Sequence, residues 1–250
     1  MEARQLRSEV RRRCLCGPFI TIDASAVVEL LGSCGFDYGI IDAEHSPLSI
    51  DRIAALLGAA AISGLPLLVR VPETGAYVGR VLDAGAAGVL APRIESADAA
   101  AEVVSRARYV PEGARGLGPG RGGYHGGSMA GHMAAANAGV LVAVQIETRR
   151  GLDAVDEILS VRGVDAVVVG PADLAASLGV EMGSAEHTAA CDRIIGAASR
   201  HGVAAGAFCM SADIARAYRA RGLHLLIVGA DSMFLADGAT RVASALRGEE

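Results

Sequence analysis

The sequence predicts a closed (β/α)8 barrel, an α/β fold, formed by a single domain over residues 1–250. Eight short apolar runs recur along the chain, segments with helical spacing separate them, and the length suits one such domain. Runs that are apolar throughout are typical of parallel strands covered by helices on their outer face. An open doubly wound sheet is the alternative, but the first predicted strand lacks the glycine-rich turn usual there.

The predicted elements follow in chain order. The polar, Arg-containing start predicts a short helix at about residues 2–13. The predicted strands are 18–22, 37–42, 66–71, 87–92, 140–147, 165–170, 203–208 and 224–229. Helical spacing lies between them, for example at 49–63, 76–85, 97–109 and 212–222. A long mobile loop is expected at 115–133, and loops of this length are often functional lids.

Composition excludes several classes of protein. All 23 basic residues are Arg, so Schiff-base catalysis through lysine, lysine-anchored pyridoxal phosphate and a lysine-bearing P-loop are excluded. A net charge of −5 without a basic, aromatic-interleaved stripe argues against nucleic acid as a partner. No membrane span or signal peptide is evident, so we expect a cytoplasmic protein. Five scattered cysteines argue against a disulfide framework.

Polar side chains stand at the C-terminal ends of the predicted strands, where barrels of this kind carry their active sites. They are Asp42 and His45, Arg70, Gln145 and Glu147, Asp173, and Asp231. A core strand has no structural need for polar residues at one particular end. The sequence therefore predicts a functional site at this end of the barrel.

Two of these residues are candidate metal ligands. Glu147 and Asp173 follow neighbouring strands, so their carboxylates can face one cation. Two carboxylates with open positions suit a hard octahedral ion such as Mg²⁺ or Mn²⁺. The alternatives are that Asp173 caps a helix and that Glu147 is a solvated strand end.

Arg70 interrupts an apolar strand, and a buried arginine requires an anion. One alternative is a structural ion pair with Asp42 or Glu44. The other is a functional contact with a substrate carboxylate or a developing enolate, and Arg70 can make both kinds of contact at different stages of a reaction. His45 follows Asp42 by three residues, and an Asp–His pair would fix the imidazole tautomer. His45 is then an acid/base candidate, although a lone histidine after a strand is usually structural.

The segment 115–133 contains Gly118, Gly120 and Gly123 in a G-x-G-x-x-G pattern. No strand precedes it closely and no amphipathic helix opens on it, which argues against a dinucleotide site. His125 and His132 could bind a metal, but seven-residue spacing in a flexible loop is a weak basis for that.

Five motifs together resemble one known family. They are GFDYGIIDAEHSP at 35–47, VRVP at 69–72, YVPEGARGLG at 109–118, VQIET at 144–148 and GVDAVVVGPADLAASLG at 163–179. In order and spacing, over roughly residues 15–245, the chain resembles the HpcH/HpaI family of class II pyruvate-dependent aldolases. The resemblance implies a metal-dependent (β/α)8 barrel that cleaves or forms 4-hydroxy-2-oxo acids through a pyruvate enolate.

The resemblance also implies a role for each site residue. Glu147 and Asp173 would hold Mg²⁺, Mn²⁺ or Co²⁺ near Gln145, and the ion would bind the carboxylate and keto oxygen of pyruvate. Arg70 would stabilise the enolate oxygen. The N–H groups of Ala172 and Asp173 would receive the substrate carboxylate at a helix N-terminus.

His45, oriented by Asp42, would transfer protons with the help of water, and Glu44 would support the site. Phe208 stands where an aliphatic residue often flanks the substrate. This departure and the glycine-rich loop both lie on the acceptor side and leave the acceptor open.

The implied partners are pyruvate or oxaloacetate together with an aldehyde. The implied assembly is a hexamer, a trimer of dimers that exchange the last barrel helix, here about 231–246. One alternative is a biosynthetic carbon–carbon bond-forming lyase that uses an oxaloacetate-derived enolate, citrate-synthase-like or macrophomate-synthase-like. Another, of a different class, is a non-catalytic metabolite-binding barrel.

Overall fold

The structure, a computed structural model, describes residues 5–118, 121 and 128–248. Eight parallel strands pair in chain order and close into a barrel. The strands are β1 (Leu15–Ile20), β2 (Gly39–Asp42), β3 (Leu67–Arg70), β4 (Gly88–Ala91), β5 (Leu141–Ile146), β6 (Ala166–Val169), β7 (Ala204–Cys209) and β8 (Leu225–Ala230). Closure occurs where Leu15 pairs with Leu225. The predicted (β/α)8 barrel is confirmed, and the open sheet is wrong.

Helices follow the strands and cover the outside of the barrel. Within the described ranges they are α1 (Leu6–Glu9), α2 (Ser25–Ser33), α3 (Ile50–Ser63), α4 (Ala76–Asp83), α5 (Ala97–Ala107), α6 (Met129–Gly139), α7 (Arg149–Asp153), α8 (Val155–Ser160), α9 (Pro171–Leu178), α10 (Ala185–His201), α11 (Ala212–Ala220) and α12 (Asp231–Arg247). No helix in these ranges has the length and apolar character needed to cross a bilayer.

Strand residues alternate between two buried layers. Ile40 and Leu68 point into the barrel, whereas their neighbours Ile41 and Val69 pack against the surrounding helices. Both faces of each strand are therefore removed from water. This double burial explains why the strands are apolar throughout rather than at every second position.

Several predicted boundaries differ from the structure, mostly by one or two residues. The first strand begins at Leu15 rather than residue 18, because Leu15 to Gly17 pair with β8. It ends before Thr21, because the N–H groups of Thr21 and Ile22 donate to the Asp231 carboxylate instead of a neighbouring strand. The predicted loop at 115–133 is wrong at its end, because α6 begins at Met129 after Ser128, whose hydroxyl accepts from the N–H of Gly131.

The end of the barrel opposite the predicted site is held by a buried ion cluster. Asp165 precedes β6 and accepts from Arg7 Nε at 2.7 Å and from Arg108 Nη2 at 2.8 Å. Leu6 and Val10 are fully buried in the barrel core beside it. The predicted N-terminal helix is thus observed as the short α1, which closes this end of the barrel, while residues 1–4 lie outside the described ranges.

Candidate active site

A cavity of about 280 Å³ opens at the C-terminal end of the barrel. Six of the predicted site residues contribute to its walls: Asp42, Arg70, Gln145, Ala172, Asp173 and Phe208. They come from five different β/α units, so the fold alone brings them together. A concave site that combines a few convergent polar groups with apolar walls is typical of small-molecule binding.

Arg70 and Asp42 form a buried, two-point ion pair. They are register partners at the ends of β3 and β2, so their side chains enter the barrel side by side. Arg70 Nε lies 2.9 Å from Asp42 Oδ1, and Nη2 lies 2.6 Å from Oδ2. The guanidinium also lies 4.5 Å from the centre of the Phe19 ring. The side chain is therefore held in one orientation, with its donors at the wall of the cavity.

Asp42 is bound to several donors at once. Burial favours a raised pKa for this carboxyl, but the Arg70 guanidinium and the N–H groups of His45 and Glu44 hold the pKa below its usual range. Asp42 is thus an anion in the folded protein. The structural ion pair between Arg70 and Asp42, one of the alternatives considered from the sequence, is therefore observed.

The expected Asp42–His45 side-chain pair is replaced by a different arrangement. Asp42 Oδ1 accepts from the backbone N–H of His45 at 3.2 Å, within the turn that follows β2. The imidazole Nε2 lies 3.7 Å from Glu44 Oε2 instead, and the His45 side chain is 64% exposed. The short spacing after a strand end favours backbone capping by Asp42, which leaves the imidazole at the cavity mouth.

Glu147 is fixed by two hydrogen bonds just beyond β5. Its Oε1 accepts from the N–H of Arg93 at 2.8 Å, and its Oε2 accepts from the side-chain amide of Gln145. Arg93 has a φ of 52°, a left-handed conformation that turns its N–H toward the site. Arg93 was not predicted, and no side-chain pattern could have indicated it because its backbone makes the contact.

The environment of Glu147 is short of positive charge. Burial raises the pKa of this carboxyl to about 6, and the nearby carboxylates of Glu44 and Asp173 also raise it, against the lowering effects of the Arg93 N–H and Arg70. Gln145 Oε1 is buried without a hydrogen-bond partner, whereas Glu44 Oε2 lies 3.4 Å from Arg70 Nε in an ion pair. A buried oxygen without a donor beside a buried carboxylate requires a cation or a donor, so Gln145 and Glu147 fit a hard divalent ion.

The helix α9 begins at the wall of the cavity. Pro171 is its first residue, Gly170 occupies the N-cap position, and no side chain caps the helix. The first-turn N–H groups, including those of Ala172 and Asp173, have no partner within the helix and favour an anion. Asp173 lies in the first turn of α9 rather than at its N-cap, and its side chain makes no capping hydrogen bond. The alternative that Asp173 caps the helix is therefore not observed.

Gly170 makes room for the Glu147 carboxylate. A Cβ at this position would lie 2.6 Å from Glu147 Oε2 and 2.8 Å from the amide nitrogen of Gln145. We predict that Gly170→Ala displaces both side chains and weakens Mn²⁺ binding roughly 10- to 100-fold, as loss of a supporting group typically does. Isothermal titration calorimetry measures this change. Gly79→Ala, where a Cβ meets nothing within 4 Å, is the matched control, and equal affinities in the two variants would contradict the prediction.

Other predicted polar residues lie outside this constellation. Asp231 accepts from Thr21 Oγ1 at 2.7 Å and joins α12 to the end of β1. His132 Nε2 lies 3.3 Å from the Tyr109 hydroxyl, in a separate cavity, and His125 lies outside the described residues. Within the described ranges, no group of three or more His, Cys, Asp or Glu residues could hold a metal. The predicted metal site has only two carboxylates, those of Glu147 and Asp173, so it does not count as a group of three.

The fold and this cavity together define a (β/α)8-barrel enzyme with its site at the C-terminal face of the barrel. The chain belongs to the HpcH/HpaI aldolase/citrate lyase family, which matches residues 15–238. The family expected from the five motifs is confirmed.

Two relatives matched by sequence are named as aldolases. The chain is 40% identical over 231 residues to a hydroxypyruvate/pyruvate aldolase of Paraburkholderia phytofirmans, 88% of each chain being covered. It is 35% identical over 223 residues to a 5-keto-4-deoxy-D-glucarate aldolase of Klebsiella pneumoniae, covering 88% and 87%. A family protein from Burkholderia cenocepacia superposes with a TM-score of 0.91 at 35% identity, over 98% and 99% of the chains. The expected enzyme class, a lyase of the aldolase type, agrees with these relatives.

Proposed function

We propose that the protein is a divalent-metal-dependent aldolase that forms and cleaves 4-hydroxy-2-oxo acids through the enolate of pyruvate. The observation that carries this proposal is the opposition of charges in one cavity. Arg70 and Asp173 line this cavity, and the Glu147 carboxylate is buried beside it, next to the unpartnered Oε1 of Gln145. Glu147 and Asp173 would hold the cation, which would polarise the keto oxygen of the bound 2-oxo acid.

The protein groups around the cation site bind and orient the 2-oxo acid. The N–H groups of Ala172 and Asp173 donate to the substrate carboxylate at the start of α9, where the helix dipole favours an anion. Arg70 faces the oxygen on which negative charge develops. Because Asp42 already holds the guanidinium in place, little reorganisation is needed as that charge appears.

His45 is suited to exchange protons with solvent because its ring is exposed at the cavity mouth. In our proposal its Nε2 passes a proton, by way of water, to the acceptor oxygen in synthesis and takes it back in cleavage. Glu44 Oε2 lies 3.7 Å from that nitrogen and helps to orient the ring. Phe19, Phe208 and Ile227 form the apolar wall that limits water around the enolate.

The same site would also form an enolate from oxaloacetate by loss of its second carboxylate, which is the basis of the synthase alternative. No residue of the described cavity favours that alternative over the aldolase, and the named relatives favour the aldolase. The non-catalytic alternative predicts loss of a site residue, yet each predicted residue is present. We therefore propose pyruvate as the donor, an aldehyde as the acceptor, and Mg²⁺, Mn²⁺ or Co²⁺ as the ion.

We also propose the hexameric assembly with exchanged C-terminal helices. In α12 only Asp231 is buried, while Leu235, Val242 and Leu246 are 65%, 62% and 84% exposed. A 17-residue helix with so many exposed apolar side chains requires a covering surface. Analytical ultracentrifugation tests this assembly, and a monomer at micromolar concentration would contradict it.

The proposed function predicts an exchange reaction that needs no acceptor. Enolate formation should replace the methyl protons of pyruvate with deuterium in deuterated water, and proton NMR follows the loss of the methyl signal. We expect chelation to stop this exchange without unfolding the barrel, and added Mn²⁺ or Mg²⁺ to restore it. Folding is monitored by circular dichroism. Exchange that continues undiminished in a preparation shown by elemental analysis to be metal-free would overturn the metal dependence.

A further inference from the structure

A second cavity adjoins the active-site cavity on the side of β7. Its volume is about 360 Å³, within the range of small-molecule sites, and it extends between α10 and α11. Its walls are mainly apolar and include Met182, Cys191, Met210, Ile214 and Tyr218. We call it the acceptor cleft for the role argued below.

The acceptor cleft and the active-site cavity have three residues in common: Pro171, Ala172 and Phe208. Ala172 lies in the helix start that receives the pyruvate carboxylate in the proposed function. Phe208 packs against Phe19 inside the barrel, with ring centres 5.9 Å apart. A group that reacts with the enolate of bound pyruvate therefore has the cleft directly beside it, past the Phe208 ring.

The two basic side chains of the cleft, His187 and Arg221, are already engaged. His187 is buried, with Nε2 2.9 Å from the carbonyl oxygen of Pro171, and its Nδ1 accepts from the N–H of Gly183 at 3.1 Å. These two contacts place the imidazole proton on Nε2. Arg221 is paired with Asp192 and lies over the Tyr218 ring. A ligand rich in hydroxyl or carboxylate groups would lose hydration here without gaining equivalent partners.

The rim of the cleft is apolar as well. Met182 and Met210 are each 58% exposed and Ile214 is 41% exposed. Methionine side chains adapt to ligands of different shape, so such a rim suits hydrocarbon chains of variable length. The cleft thus offers mainly apolar surface beside the reaction site, and its basic groups are already paired within the protein. These features favour an apolar occupant.

We propose that the acceptor cleft binds the hydrocarbon chain of an apolar acceptor aldehyde. The proposal rests on the proposed function and specifies its second substrate. In the reaction, the methyl carbon of pyruvate loses a proton and forms the new bond to the aldehyde carbon. The aldehyde oxygen takes up a proton and becomes the 4-hydroxyl group, so that all atoms of both substrates are retained in the product.

The test measures kcat/KM for straight-chain aldehydes from propanal to heptanal, with pyruvate and Mn²⁺ held constant. Burial of each added CH₂ should raise kcat/KM about three- to fourfold until the cleft is filled. Ile214→Trp should fill the cleft and flatten this rise, while leaving the deuterium exchange of pyruvate unchanged. The matched control is Ile62→Trp, on α3, where the side chain is 85% exposed and lines no described cavity.

Each outcome decides between named possibilities. A flat series in the unmodified enzyme, or an equal loss for propanal and heptanal in Ile214→Trp, overturns the acceptor cleft while pyruvate exchange still supports the aldolase. Absence of exchange in the unmodified enzyme overturns the proposed function itself. If Ile214→Trp fails to fold, Ile214→Glu provides the same test by placing a charge at the rim. A change in sedimentation on Ile214→Glu would identify the cleft as an interface between copies of the chain instead.

Discussion

Glu147→Gln should abolish tight Mn²⁺ binding and, with it, the deuterium exchange of pyruvate. The substitution removes one of two proposed carboxylate ligands, so the loss of affinity should exceed the roughly 10- to 100-fold typical of a supporting group. The fold should survive. The new amide oxygen can keep the hydrogen bond from the Arg93 N–H, and Gln145 can turn its unpartnered Oε1 toward the new NH₂ group.

Binding of Mn²⁺ is measured by electron paramagnetic resonance, which detects the free ion, and folding is measured by thermal denaturation without metal. Glu112→Gln is the matched control, because Glu112 is exposed at the opposite end of the barrel, beside the cavity lined by Arg7 and Arg108. Unchanged Mn²⁺ affinity in a folded Glu147→Gln protein would remove Glu147 from the proposed ligand set.

Arg70→Ala should lower the rate of pyruvate exchange by about 10²- to 10³-fold, with a smaller effect on KM, because its donors act mainly on charge that develops in the transition state. The substitution also leaves the buried Asp42 carboxylate without its main partner. Loss of one member of a buried pair is itself strongly destabilising. Activity and stability must therefore be measured separately.

The double variant Asp42→Asn/Arg70→Gln separates these two effects. It removes both charges and leaves a polar side chain at each position, so the free energy of unfolding should recover relative to Arg70→Ala. The exchange rate should remain low, since no cation faces the developing charge. Recovery of the exchange rate together with stability would mean that Arg70 serves only to neutralise Asp42.

Much of this site could be predicted because the barrel determines where strand ends meet. Residues such as Gln145 and Phe208 needed only a correct strand assignment to be placed at the cavity, since side chains at the C-terminal ends of parallel strands converge there. Tertiary pairing with β8 determined the start of β1 and could not be seen in the local pattern around Pro18. The helix α6 is rich in alanine and glycine and lacks a clear apolar face, so periodicity did not reveal it.

Contacts made by the backbone were the other part of the site that could not be predicted from the sequence. The N–H of Arg93 binds Glu147, and the Asp42 carboxylate binds the N–H groups of its own turn. Neither contact depends on the identity of the donor's side chain, so residue types carry no signal for them. Asp42 binds the backbone N–H of His45, so the His45 imidazole lies beside Glu44 rather than beside its expected partner Asp42.

The arrangement of the two neighbouring cavities has a consequence for the divergence of such enzymes. Apart from Pro171 and Ala172, the walls of the cleft come from one continuous stretch of chain, residues 182–221. The groups that generate the nucleophile come from earlier β/α units. A gene could therefore acquire a new second substrate by mutation or recombination within this stretch alone. The first half of the reaction would be inherited intact, which makes residues 182–221 a natural unit for building chimeric catalysts.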